Sequence, residues 1–157
     1  MVTLRPGDKA PSFKGKDQDG KVISLSDLKG KDVVLYFYPE DDTATCTVQA
    51  CNLRDNFSIL KKAGLNVIGV SPDAVEKHKK FEIKYNLPFS LLADPGHKII
   101  DAYGVWGEKK LYGRTYQGLH RTTFLIDKKG FIQKVFLKPR SIQHSEDILK
   151  AWTILNP

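Results

Sequence analysis

The sequence predicts an α/β fold in which a central mixed β-sheet is flanked by helices. First, apolar runs typical of buried strands alternate with segments whose apolar residues recur at helical spacing. Second, turn signals near both ends of the chain indicate β-hairpins, one of them N-terminal, so antiparallel pairs are expected beside parallel ones. Third, a chain of 157 residues, 41% of them hydrophobic and 27% charged, can bury a hydrophobic core without disulfide or metal cross-links. We therefore expect a single domain over residues 1–157.

The first elements are a hairpin and a buried strand. Residues 13–25 predict a hairpin, because Asp17-Gln18-Asp19-Gly20 ends in the Asp-Gly step that favours tight turns. Residues 26–30 form a short helical turn closed by glycine. The run Val33–Tyr38 is continuously apolar, as in a buried strand, and Pro39 ends it.

Two helices and a strand are expected in the middle of the chain. Apolar residues at helical spacing predict a helix over about 43–63, with Gly64 as its stop. Residues 66–70 predict the next buried strand. Ser71-Pro72 then supplies a cap and a proline at the first position of a helix that runs to about Tyr85.

The C-terminal third contains the remaining strands. Residues 89–103 predict a strand and a short helix, and residues 106–117 are expected to be loop-rich. Residues 122–126 and 131–136 flank an Asp-Lys-Lys-Gly turn and therefore predict an antiparallel hairpin, followed by a helix over 145–155. Sheets of this kind place their ligand sites at the carboxyl ends of strands.

The chain has two cysteines, Cys46 and Cys51, and both follow the strand at 33–38. Cys46 is expected in or near the first turn of a helix, where unsatisfied backbone N–H groups and the helix dipole favour the nucleophilic thiolate. The N-terminus lacks an apolar export segment, so we expect a cytoplasmic location. In that reducing compartment a cysteine pair is more typical of catalysis or redox chemistry than of a structural bridge.

The net charge of +7 is spread over short lysine pairs and forms no long basic tract. This pattern favours a solvated basic surface, which can steer an acidic protein partner, over a nucleic-acid site. No apolar run is long enough to span a bilayer, the four histidines lack metal-ligand spacing, and no nucleotide motif is present. We expect no membrane, metal or cofactor. A non-enzymatic binding module remains an alternative, and salt-sensitive binding that survives Cys46→Ser would reveal it.

Three residues complete a candidate peroxide site around Cys46. Thr43, three positions earlier, can place its hydroxyl on the same side of the turn, and Pro39 can shield the sulfur because it has no N–H. Arg121 begins another strand and can aim a permanent cation at the sulfur. The simpler alternatives are buried apolar cysteines, a helix cap at Thr43, a strand stop at Pro39 and a surface ion pair for Arg121.

The spacing Pro39-x-x-x-Thr43-x-x-Cys46, together with Arg121 in Arg-Thr-Thr-Phe-Leu-Ile-Asp, resembles the peroxiredoxin motif. The Cys-x-x-x-x-Cys spacing is similar to the peroxiredoxin Q, or bacterioferritin comigratory protein, subgroup, and the resemblance runs from about Gly7 to Trp152. It implies a thioredoxin-like fold and thiol-dependent reduction of hydrogen peroxide and organic hydroperoxides. It also implies that Cys46 is the peroxidatic cysteine, that Cys51 is the resolving one, and that thioredoxin or a similar dithiol protein is the reductant. We expect a monomer, or at most a weak dimer.

One departure from the family pattern precedes Cys46. Family members commonly carry Thr-Pro-Gly-Cys, whereas this chain has Thr43-Ala44-Thr45-Cys46. The threonine is kept, but the rigid proline and the permissive glycine are replaced. A thioredoxin-type thiol–disulfide oxidoreductase is the enzymatic alternative. It fits less well, because four residues rather than two separate the cysteines.

Helix geometry makes a further prediction about the two cysteines. Five residues on an α-helix turn through about 500° and rise about 7.5 Å, which places the two Cα atoms roughly 8–9 Å apart. A disulfide needs Cα atoms within about 7 Å. The helix is therefore expected to run through Cys46 and Cys51 in the reduced form and to unwind near residues 43–53 when the disulfide forms.

Overall fold

A computed structural model describes residues 2–157, and its main feature is a seven-stranded mixed sheet. The strands are β1 Lys14–Lys16, β2 Val22–Ser24, β3 Asp32–Phe37, β4 Leu65–Ser71, β5 Ser90–Ala93, β6 Trp106–Leu111, β7 Arg114–Leu119, β8 Thr122–Ile126 and β9 Ile132–Phe136. The α-helices are α1 Ala44–Asp55, α2 Phe57–Lys62, α3 Val75–Tyr85, α4 Lys98–Ala102 and α5 His144–Leu155, and two 3₁₀ helices span Leu25–Leu28 and Ser141–Gln143.

The order of the strands is β2-β1-β5-β4-β3-β8-β9. Strands β3, β4 and β5 pair in parallel, whereas β8 and β9 and the N-terminal hairpin β1–β2 add antiparallel pairs. The mixed sheet and the N-terminal hairpin predicted from the sequence are thus confirmed. All residues of β3 are buried, because side chains alternate between the two faces of a sheet that is covered on both sides.

Each face of β3 contributes to its own buried cluster. Val33, Leu35 and Phe37 belong to the cluster on one face. Val34 and Tyr36 belong to the cluster on the other face, which also contains Cys46 and the apolar side of α1. Helix α1 is therefore attached to β3 through a continuous apolar layer.

Glycine is required at one position of that layer. Gly69 in β4 is paired with Tyr36 of β3, whose ring lies across it. A Cβ atom at position 69 would come within 2.9 Å of Tyr36 Cζ and within 3.0 Å of Leu91 Cδ2. The absence of a side chain at Gly69 lets the Tyr36 ring lie flat on the sheet beneath α1.

The structure corrects three of the predicted elements. The expected helix over 43–63 is interrupted at Asn56. The side-chain Nδ2 of Asn56 donates to the Asn52 carbonyl (2.9 Å) and so competes with the backbone hydrogen bonds of the helix. The next helix begins at Val75 rather than at Pro72. Ser71 still belongs to β4, and its hydroxyl accepts from the Asp73 N–H, which forms a local turn before the helix.

The third correction concerns residues 106–117, which are not loop-rich. They contribute to strands β6 and β7, a separate antiparallel ribbon. Tyr112 and Gly113 form its turn, and both have positive φ (50° and 76°), as a type I′ turn requires. None of the helices within residues 2–157 has the length and apolar character needed to cross a membrane.

Candidate active site

The site is built at the start of α1, just beyond the carboxyl end of β3. Thr43 is the N-cap residue with an extended backbone, and Cys46 is the third residue of the helix. Cys46 is only 1% exposed. It faces the sheet in register with Ala50 and Leu53, which are also buried. The predicted position of this cysteine in the first helical turn is confirmed.

Arg121 reaches Cys46 from the neighbouring strand. It immediately precedes β8, and β8 pairs antiparallel with β3 so that Thr122 lies opposite Phe37. This pairing places Arg121 beside the carboxyl end of β3. Its Nη2 donates to Cys46 Sγ at 2.8 Å, and its Nη1 donates to Gln49 Oε1 at 3.1 Å. A hydrogen bond from a permanent cation stabilises negative charge on the sulfur.

Gln49 is a site residue that the sequence analysis missed. It is fully buried three residues after Cys46, on the same face of α1. While its carbonyl oxygen holds Arg121, its Nε2 has no hydrogen-bond partner within residues 2–157, and the same is true of the buried Tyr36 hydroxyl. Burial raises the pKa of Tyr36 well above its usual value, with a smaller contribution from the neighbouring Cys46. The signal available in the sequence was a polar residue at an otherwise apolar helical position.

Thr43 and Pro39 lie in the loop between β3 and α1. The Thr43 hydroxyl donates to the Glu40 carbonyl at 3.1 Å and makes no side-chain cap bond to α1. The first N–H groups of the helix are therefore not occupied by their own N-cap side chain. Pro39 is half-buried directly after Tyr38 and offers no N–H donor. Thr43 is thus the N-cap residue, as the simpler alternative has it, but its side chain makes no cap bond.

Three consecutive carboxylates of this loop are anchored on α3. Asp42 has a left-handed backbone (φ 61°), and the hydrogen bonds from Lys84 and Tyr85 hold the pKa of its carboxyl below the usual value. Asp41 is buried and also accepts from the Tyr38 hydroxyl at 2.6 Å. These contacts fix the backbone that leads into Thr43. The anchoring pairs are Glu40 with Lys77 (2.7 Å), Asp41 with His78, and Asp42 with Lys84 (2.7 Å).

A possible metal-ligand set lies within this anchor. Single ligand atoms of Asp41, Asp73 and His78 lie within 4.8 Å of one another. These groups are already engaged, because the two ring nitrogens of His78 face Asp41 and the Leu92 carbonyl, and Asp73 accepts from the Ser71 hydroxyl. The cluster serves as a hydrogen-bonded support for the loop.

Cys51 lies on the same helix as Cys46 but in different surroundings. Helix α1 runs unbroken through both residues, and both thiols are free, as predicted for the reduced form. Cys51 is half-exposed. Its side chain is about 140° around the helix from that of Cys46. The structure therefore joins Cys46 to Arg121 and leaves Cys51 outside that contact.

Asn52 ties the Cys51 end of this segment to α5. Its Oδ1 accepts from the Ser145 N–H at 2.7 Å, its Nδ2 donates to the Ile142 carbonyl at 3.0 Å, and its own carbonyl accepts from the Ser145 hydroxyl at 3.1 Å. Helix α5 has no side-chain cap bond from its own N-cap residue. Asn52 thus satisfies an N–H at the start of α5 from outside that helix.

The family model described as AhpC/TSA family matches residues 6–135 of the chain. Peroxiredoxin Bcp of Escherichia coli strain K12 is 48% identical over 152 residues, which cover 97% of each chain. The crystal structure of peroxidoxin BcpB from Mycobacterium tuberculosis has a TM-score of 0.86 at 29% identity and covers 99% of this chain and 100% of that one. A Cys-to-Ser mutant of peroxiredoxin Q from Xylella fastidiosa has a TM-score of 0.92 at 25% identity over the full length of both chains.

These likenesses confirm the thioredoxin-like fold and do not favour the thioredoxin-type oxidoreductase. The matched region includes the whole predicted site up to Arg121 and β8. Because the similarity to Bcp covers nearly the entire length of both chains, it carries the activity as well as the fold. The chain belongs to the AhpC/TSA family and, within it, is a peroxiredoxin: a thiol-dependent peroxidase of the Bcp type.

Proposed function

We propose that Cys46 is the peroxidatic residue of this enzyme. The observation that supports this role is the 2.8 Å bond from Arg121 to the Cys46 sulfur at the start of a helix. The thiolate attacks the terminal oxygen of a hydroperoxide, so that an S–O bond forms while the O–O bond breaks. The sulfur is oxidised to a sulfenic acid, and the departing oxygen takes up a proton and leaves as an alcohol or water.

The surrounding groups assist this step in different ways. Arg121 donates a hydrogen bond to the sulfur and offers donors to charge that develops on the peroxide oxygens. The uncapped N–H groups at the start of α1 add donors, and the Thr43 hydroxyl can accept a hydrogen bond while it remains bonded to Glu40. Pro39 presents no competing N–H on its side of the loop. Gln49 positions Arg121.

Cys51 then resolves the sulfenic acid. Its thiolate attacks the Cys46 sulfur, the S–S bond forms, and hydroxide leaves and is protonated to water. Because a helix holds the two Cα atoms roughly 8–9 Å apart, α1 must unwind between them first. The loop before α1 is bonded to α3, and Asn52, just after Cys51, is bonded to α5. These two attachments favour unwinding that is confined to the part of α1 between them.

A thioredoxin-type dithiol protein completes the cycle by thiol–disulfide exchange. Its thiolate attacks Cys51, Cys46 leaves as a thiolate that Arg121 stabilises, and the second thiol of the partner then releases Cys51. The cycle uses no bound cofactor, nucleic acid or membrane. It suits the cytoplasm, where the dithiol pool is reducing. We propose a single domain, because both buried clusters lie on the faces of one sheet, and a monomer or at most a weak dimer.

Two matched variants test these roles. Cys46→Ser should abolish peroxide reduction, whereas Cys51→Ser should consume about one equivalent of peroxide and stop at a trapped sulfenic acid. Single-turnover peroxide consumption, with a sulfenic-acid trap read by mass spectrometry, distinguishes the two. The assignment is wrong if Cys51→Ser loses the first equivalent while Cys46→Ser keeps it.

A further inference from the structure

A shallow groove borders the Cys51 side of α1. It has a volume of about 480 Å³ and is lined by Ala44, Thr45, Val48, Arg140, Ser141 and Ile142. We call these residues the α1 groove. Ala44, Val48 and Cys51 follow one another at four- and three-residue spacing, so they share a face of the helix. The groove thus lies on the helix face that carries the half-exposed Cys51 and not on the face of the buried Cys46.

The α1 groove exposes apolar side chains. Val48 is 43% exposed and Ile142 is 77% exposed. A single exposed apolar residue needs no explanation, but these two line the same groove beside a redox-active helix. The surface next to the resolving cysteine is therefore suited to a partner with an apolar contact area.

Cations extend this surface away from the cysteine. Arg140 also lines a second groove of about 570 Å³, together with Lys134, Lys138 and Lys150. The one carboxylate in that lining, Asp147, is bonded to Arg140 at 2.7 Å. In the part of the chain that the structure describes, the three lysines form no salt bridge within 4.0 Å. The charge of this region is complementary to an acidic partner.

We infer that the α1 groove and the adjoining lysines form the docking surface for the dithiol reductant, whose thiol site would be apolar and bordered by acidic residues. The inference rests on the proposed Cys46–Cys51 disulfide. When α1 unwinds, the sulfurs must leave the buried cluster, and the Cys51 face is the side of α1 next to this groove. An attacking thiol must reach bonding distance, so the surface of the partner has to cover the residues beside it. Weak redox encounters bury less than about 1,200 Å² in total, which two adjoining grooves can supply.

The test uses the full-length chain with its disulfide already formed by one equivalent of peroxide. Reduction is then followed with thioredoxin and, separately, with dithiothreitol, which is too small to dock. Lys138→Glu/Lys150→Glu should slow reduction by thioredoxin about tenfold and weaken its salt dependence, because rim charges act mainly on the association rate. Ile142→Ser should slow it severalfold. Reduction by dithiothreitol should not change in either variant.

A matched control lies at the opposite end of the sheet. Lys29 and Lys129 are exposed and line another lysine-rich groove, so Lys29→Glu/Lys129→Glu makes the same change in net charge far from the cysteines. Its reaction with thioredoxin should stay within twofold of wild type. An equal loss in this control, an equal loss with dithiothreitol, or a dimer in solution that the groove variants disrupt would overturn the assignment. Failure of the disulfide to form would instead contradict the proposed function.

Discussion

The two cysteines of α1 are five positions apart on one helix, yet they differ in burial and in their contact with Arg121. Cys46 is buried, faces the sheet and accepts a hydrogen bond from Arg121. Cys51 is half-exposed and lies near a weakly polar groove. The helix keeps the two sulfurs on different sides.

This difference shows how one helix separates two steps of a reaction. A buried, charge-stabilised sulfur suits the attack on peroxide, whereas an accessible sulfur suits exchange with a protein partner. Under the proposed mechanism, the helix has to open between these two steps. The next predictions test the Cys46 side, the support beneath the Cys51 side, and the helix between them.

The largest effect is expected at Arg121. Arg121→Ala should slow oxidation of Cys46 by peroxide by about 10²–10³-fold, as when an oxyanion-hole donor is lost. Rapid-mixing measurement of the first oxidation step checks this rate. Arg114→Ala, on the exposed ribbon, is the matched control and should react like wild type. An unchanged rate in Arg121→Ala would show that the bond to Cys46 has no catalytic role.

The second prediction concerns His144, the first residue of α5. Burial lowers the pKa of His144 to about 4, while its Nε2 is bonded to Thr123 at 2.8 Å and its ring packs edge-on against Phe136. The His144 ring takes up a proton near pH 6.5 in the unfolded chain but only near pH 4 in the folded chain. The contribution of neutral His144 to the free energy of unfolding is therefore fully present above pH 6.5 and is lost as the pH falls towards 4. The loss is roughly 3 kcal/mol.

Urea denaturation between pH 7 and pH 4 measures this dependence. His144→Gln should abolish most of the slope, whereas His120→Gln, whose ring is half-exposed, should retain it. Carboxylates with lowered pKa values, such as Asp147 and Asp42, begin to contribute to the slope below about pH 5, so the slope between pH 7 and pH 5 is the part that tests His144. A slope that persists in His144→Gln would rule out this histidine as its source.

A substitution at Asn52 should weaken the attachment of the Cys51 end of α1 to α5 without changing the Cys46 end. Asn52→Ala removes the bond to the Ser145 N–H, which should cost about 1 kcal/mol, as for a lost helix cap. Hydrogen exchange near Cys51 should become faster, and disulfide formation after a single equivalent of peroxide should speed up by roughly fivefold. Asn52→Asp keeps the acceptor and should restore most of the stability. Slower disulfide formation in Asn52→Ala would mean that the anchor promotes opening.

The smallest effect is expected at Thr45, where the family commonly has glycine. Thr45→Gly should destabilise the first turn of α1 by about 0.5 kcal/mol. The peroxide step should be unchanged and disulfide formation should become about twofold faster. Thr153→Gly makes the same exchange at an exposed position of α5 and serves as the control. Equal rates in wild type and Thr45→Gly would show that the first turn does not limit the opening.

The sequence predicted those parts of the molecule that rest on local patterns. Continuous apolar runs marked β3 and β4, and the position of Arg121 at a strand start placed it near Cys46. The ribbon β6–β7 was missed, because its distal residues are exposed and lack an alternating pattern of apolar and polar residues. Gln49 and Asn52 were missed because their partners are 72 and about 90 positions away, a distance that local spacing does not encode.

Gly69 has a consequence for how this enzyme can change over generations. A side chain at this position would strike the ring of Tyr36, and that ring belongs to the buried cluster that contains Cys46. The packing of the buried cluster that contains Cys46 therefore constrains the sequence of the neighbouring strand β4. A side chain fits at position 69 only after a smaller residue has replaced Tyr36 and the end of the Leu91 side chain has shifted. A substitution at position 36 therefore has to come before one at position 69 if the intermediate protein is to stay folded.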